Sequence, residues 1–223
     1  MTNGTAERLT AADGHTFDCW FVPATGEPVG GIVILQEIFG VTDQLKGLAN
    51  YYSGLGFDVA IPALFDRREP GTVVPFDAGA KGRDLMLSLP ADEVMQDVKA
   101  AVDRLAQNGD KVGIVGFCWG GGLAVRAAQT LDVGGAVAFY GTRLPNYMAD
   151  DLQAPLQMHF GASDDHIPAE MRDGFLARYP EVEAHLYDAG HAFANDARPA
   201  AFDAEAAERA QQRAVAFLKK ALA

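Results

Sequence analysis

Cys118 lies in the pattern Gly116-Phe117-Cys118-Trp119-Gly120, directly after the apolar run KVGIVGF (111–117) and directly before a stretch of helical period. A nucleophile at the end of a buried strand is presented to substrate when the chain turns abruptly into a helix, and that turn requires small residues two positions before and after it. The helix that follows aims free N–H groups and a positive partial charge at the sulfur, which favours a thiolate. Cysteine is also one of the most buried residue types, and glycine-rich strand-to-helix turns bind phosphates as well. Neither GxGxxG with a later acidic residue nor GK[ST] occurs at this corner, so the nucleophile reading leads.

A cysteine nucleophile needs a base, and the base needs a carboxylate to orient it. The segment HFGASDDHIP (159–168) offers Asp164 and Asp165 just past a strand, and YDAGHAF (187–193) offers His191 past the next one. That gives the order nucleophile, acid, histidine, which is the chain order of hydrolases built on an open α/β sheet. The other histidines have structural explanations: His15 lies in a turn, His159 and His185 within strand runs, and His166 at a helix start. Asp164 is favoured over Asp165 because it falls three residues after Gly161, although either can cap the helix that begins near Pro168. Asp188 is too near His191 on its own strand to orient it.

The elements that must hold these residues follow from periodicity. Short β-branched runs alternate with longer helical ones, the mark of an α/β fold with a mainly parallel central sheet flanked by helices on both faces. The strands are expected at 31–37, 58–62, 111–117, 134–140, 155–161 and 183–188. Helices are expected at 44–55, 92–106, 121–130, 169–178 and 203–222. ERLT and HTFDCWFVP around the turn ADG read as an antiparallel hairpin on the sheet edge. The Pro- and Gly-rich stretch 61–79 is expected to be a ligand-binding loop. No repeat or linker divides the chain, so residues 1–223 are expected to form a single domain.

Composition narrows the partners. A formal net charge of -12 leaves no basic stripe for nucleic acid and disfavours anionic membranes. Neither a signal-peptide run nor a membrane-spanning run is visible, and two cysteines form no disulfide framework or metal-ligand spacing, so a reducing cytoplasm fits best. No feature demands a metal, flavin, nicotinamide or nucleotide, and a domain of this size is expected as a monomer or small homo-oligomer.

Taken together, GFCWGG, GASDDHIP, AGHAF and the early LQEIFG make the chain resemble the dienelactone hydrolase (carboxymethylenebutenolidase) family of α/β-hydrolases, over about residues 5–218. The resemblance implies a cofactor-independent Cys118-His191-Asp164 triad that opens a lactone or small ester through a thioester acyl-enzyme. It implies an oxyanion hole from the backbone N–H groups of Trp119 and Ile38. It also implies that Glu37 stands beside Cys118, holds or receives the thiol proton, and is displaced toward other partners when substrate enters. A carboxylate there opposes thiolate formation and keeps the resting sulfur less prone to oxidation.

The chain departs from the pattern at one place. Four residues after the histidine, where similar enzymes carry an arginine for the substrate carboxylate, it has Asn195. Arg83 is the nearest match to a second anion-binding arginine, with Lys81, Arg67 and Arg68 nearby; the alternative is a solvated helix-start residue. Phe39 and Tyr140 are substrate-contact candidates, and Phe76, Phe193 and Trp119 flank the same loops, each equally suited to the core. Two rival readings remain. One is a thiol enzyme that pairs glutamate with an elbow cysteine but expects histidine where Trp119 stands; the other is a non-catalytic ligand-binding protein on the hydrolase fold.

Overall fold

The β-branched runs become strands β3 (Gly31–Leu35), β4 (Asp58–Pro62), β5 (Val112–Phe117), β6 (Gly135–Phe139), β7 (Leu156–Gly161) and β8 (Glu183–Tyr187), preceded by β1 (Thr5–Thr10) and β2 (Thr16–Val22). In the computed structural model, which describes residues 4–107 and 109–223, they form one sheet in the order β1-β2-β4-β3-β5-β6-β7-β8. Of the expected span 1–223, residues 1–3 and 108 therefore lie outside the described residues. The β1–β2 and β2–β4 pairs are antiparallel and the others parallel. β3, β5, β6 and β7 are buried along their whole length, which is why they read as unbroken apolar runs and not as alternating ones.

The helices are α1 (Asp43–Gly54), α2 (Gly79–Leu87), α3 (Ala91–Ala106), α4 (Trp119–Thr130), α5 (Ala169–Arg178) and α6 (Ala204–Leu222). Two are capped at the N-terminus by side chains: Thr42 Oγ1 accepts from Leu45 N–H, and Asp203 Oδ1 accepts from Ala206 N–H. α3 and α4 pack on each other and on β5's face of the sheet, while α1 and α6 are joined by Tyr52 Oη donating to Gln211 Oε1 at 2.7 Å. The strand-to-helix crossovers so cover the sheet and leave the carboxyl ends of β3, β5, β7 and β8 to carry the loops of interest.

One expected loop is partly helical. Residues 61–79 contain a 3-10 turn at Leu64–Arg67 and lead into α2, which periodicity did not reveal. α2 carries no apolar stripe of ordinary width; its buried residues are Gly82 and Met86. A glycine is needed at 82 because a Cβ there would lie 1.9 Å from Ile38 O, so α2 is seated by backbone contact against the turn after β3. None of the described helices is long and apolar enough to cross a membrane.

Candidate active site

Cys118 joins β5 to α4 with φ 53° and ψ −114°, a conformation that L-residues rarely adopt and that costs about 1–3 kcal/mol. The surroundings hold it there. Its N–H donates to Phe139 O at 3.0 Å, and its carbonyl accepts from the N–H groups of Gly121, Gly122 and Thr142. The flanking glycines are required by packing, since a Cβ on Gly116 would lie 1.9 Å from Gly120 O and one on Gly120 2.3 Å from Leu35 O. Gly120 N–H also donates to Gln36 O at 3.0 Å, which ties the corner to the residue preceding Glu37.

His191 and Asp164 come from the loops after β8 and β7. Asp164 Oδ2 bonds His191 Nδ1 at 2.8 Å, while Oδ1 accepts His166 N–H at 2.8 Å, so one carboxylate both orients the imidazole and shapes its own turn. Asp165 is exposed. With Nδ1 held, Nε2 is the imidazole nitrogen left for chemistry. Burial opposes the imidazolium, but hydrogen bonding and charge from Asp164 and Cys118 outweigh it and push His191 up to about 10.

The loops before the corner supply N–H groups. Neither the Ile38 N–H nor the Trp119 N–H donates to an acceptor among the described residues, leaving two donors at the sheet's carboxyl edge. The Trp119 ring itself is turned into the core and stacks on Phe65 at 5.7 Å. Phe39 and Phe76 meet edge to face at 4.8 Å, and Tyr140 meets His191 the same way at 5.1 Å.

Glu37 is 5% exposed, and burial raises its carboxyl above the usual range. Oε2 accepts from Asn195 Nδ2 at 3.0 Å, and Oε1 has no hydrogen-bond partner. Asn195, expected near substrate, is itself buried, and its Oδ1 accepts from Ala197 N–H; its amide is used inside the protein.

The cations are distributed differently from expectation. Arg83 is exposed on α2, and among the described residues no hydrogen bond or ion pair joins it to Cys118, His191 or Glu37. Arg67 forks onto Asp97 at 2.7 and 2.8 Å and onto Asp13 at 2.7 Å; Lys81 pairs with Glu69 and Arg68 with Glu93. A cation beside these groups that sequence reasoning missed is Arg198. It lies 5.5 Å over the Phe39 ring, its charge reaches Glu37, Tyr140 and His166, and no carboxylate pairs with it among the described residues. The signal was an arginine seven residues after His191, on the turn closed by Arg198 N–H to Asn195 O. His166, passed over as a helix-start residue, places its ring 4.4 Å from that of His191.

Known proteins arrange their chains in the same way. A dienelactone hydrolase-like promiscuous phosphotriesterase from metagenomic libraries superposes with a TM-score of 0.82 at 21% identity, covering 99% of both chains. The carboxymethylenebutenolidase of Pseudomonas putida is 33% identical over 94% of this chain and 94% of its own. Carboxymethylenebutenolidase 1 of Cupriavidus pinatubonensis is 27% identical over the same shares. The profile of the Dienelactone hydrolase family matches residues 17–222, and the chain belongs to that family.

Proposed function

We propose that the protein hydrolyses a lactone or small carboxylic ester without a cofactor, with Cys118 as nucleophile, His191 as base and Asp164 as its orienting acid. The observation that carries this reading is the strained Cys118 corner, whose thiol interacts with an imidazole whose other nitrogen is held by a buried carboxylate. His191, raised by Asp164 and by the Cys118 charge, holds the thiol proton on Nε2 as an imidazolium while sulfur adds to the carbonyl carbon, and the oxyanion is met by the Trp119 and Ile38 N–H groups. The C–O bond to the leaving group then breaks, and the imidazolium returns the proton to the departing oxygen. In a lactone that oxygen stays tethered to the thioester. Water, deprotonated by His191, adds to the thioester, the C–S bond breaks, and sulfur regains its proton as the acid leaves. Glu37 opposes the thiolate between turnovers by disfavouring a second negative charge beside it.

Arg198 supplies the cation for an anionic substrate in place of the residue that is Asn195 here. The relatives named above support an ester- or lactone-cleaving role. The test is hydrolysis of a dienelactone and a neutral activated acetate ester by wild type, Cys118→Ala and His191→Ala with chelator present. Turnover by wild type alone, with both variants folded, supports the reading. Full activity in Cys118→Ala overturns it, and tight lactone binding without turnover favours a binding protein. Arg198→Ala should lower activity on the charged substrate selectively, and Arg83→Ala is the comparison.

A further inference from the structure

Two buried polar atoms in the site have no hydrogen-bond partner: Glu37 Oε1 and the Tyr140 hydroxyl. Both side chains are nearly or fully buried, and leaving each such atom unpaired costs about 1–3 kcal/mol. Tyr140 is also held at φ 38°, unusual for a bulky residue, with its N–H donating to His159 O at 2.8 Å at the end of β6. Its hydroxyl faces the Glu37 carboxyl closely enough for the pair to interact by charge and by a partial hydrogen bond, which stops short of full hydrogen-bond geometry in this arrangement. Across the same carboxyl, Asn195 is oriented by Ala197 N–H so that its Nδ2 donates to Oε2.

We propose that Asn195 and Tyr140 are positioning residues that set the charge of Glu37, and through it the reactivity of Cys118: Asn195 by fixing Oε2, Tyr140 by offering Oε1 the donor it lacks. The proposal rests on the cysteine-hydrolase reading and adds to it a role for the residue that replaces the expected arginine. An amide donates to either oxygen state of a carboxyl but brings no charge, so Asn195 anchors Glu37 without neutralising it. The groups that face Glu37 are Tyr140 from the end of β6, Asn195, His191 and Arg198 from the loops after β8, and Cys118 is coupled to the same cluster through Tyr140 and His191. Donors to Oε1 and Oε2 favour the carboxylate, and the carboxylate disfavours a thiolate beside it.

The test is the rate of Cys118 alkylation by iodoacetamide between about pH 5 and 10, measured on wild type, Asn195→Ala, Tyr140→Phe, Glu37→Gln and Asn195→Ala/Glu37→Gln, each checked for folding by circular dichroism. This readout needs no turnover, so a wild type inactive on every ester leaves it intact. Asn195→Ala and Tyr140→Phe should each move the alkylation midpoint to lower pH and speed alkylation at neutral pH by about 3- to 10-fold. Glu37→Gln should move it further, and Asn195→Ala should then add nothing. An unchanged midpoint in Asn195→Ala and Tyr140→Phe overturns the proposal, as does an equal shift from Asn195→Ala in the Glu37→Gln background. A rise in KM with no shift of midpoint would return Asn195 to the substrate-contact role.

Discussion

The molecule holds its two cysteines in opposite chemical settings. Cys19 lies in β2, fully buried, where the strand's alternation turns it inward and burial pushes its thiol well above the ordinary range. Cys118 stands on a corner where no regular strand or helix conformation hides it, beside an imidazole. Both are free thiols. The histidines repeat the contrast: His159 in β7 bonds neutral Tyr187 and Gln157 at 2.8 and 2.9 Å, and burial holds it well below its usual range, whereas the Asp164 carboxylate raises His191. The lesson is that burial alone silences a titratable group, and that a strained backbone or a charged partner is needed to keep one active in the interior.

If this division is real, variants at the corner should cost activity and variants in the core should cost stability. The largest effect is expected from Cys118→Ala, whose kcat/KM should fall about 10^5-fold or more while its unfolding curve stays close to wild type. Asp164→Asn comes next, with kcat reduced by about 10^4-fold because the imidazole loses its orienting acceptor. The same variant has a pH signature. His191 is raised in the folded state from 6.5 to about 10, so its ion pair contributes stability in full below pH 6.5 and loses it as pH rises through about 10. The gap in denaturant midpoint between wild type and Asp164→Asn should therefore narrow over that window; a gap that widens would remove the charged pair from the account.

In the core, Arg67→Ala should destabilise by about 3–5 kcal/mol, because it strands Asp97, which is fully buried beneath the guanidinium. Hydrolysis of the anionic and neutral substrates should keep its ratio; a selective loss of the anionic one would make Arg67 a substrate contact after all. The smallest effect is expected from Cys19→Ala, about 1 kcal/mol in stability with kcat/KM nearly unchanged. Alkylation of the native protein should label Cys118 alone, and equal labelling of both thiols would break the contrast.

Much of this was legible in the chain because buried parallel strands and amphipathic helices print their period directly. β3 through β8 and five of the helices lie within two residues of expectation. α2 escaped because Gly82 replaces an apolar stripe with a backbone contact to Ile38, and periodicity has no signal for that. The candidate site residues are read from type and order, whereas the contacts of the arginines depend on partners distant in sequence. Arg67 meets Asp97 thirty residues on, and Asn195 meets Glu37 across 158. Arg198 reaches the site through the path of a turn, which residue spacing alone does not describe.

The position of β3 between β4 and β5 has a consequence for biosynthesis. β3 and β4 can pair once Pro62 has been made, and β5 adds itself when Phe117 follows, yet His191 comes after β8, the last strand to join the sheet. A growing chain thus seats the strand carrying its thiol while the imidazole is still unmade. In the proposed mechanism the sulfur is therefore made, and its strand able to pair, before the imidazole that activates it.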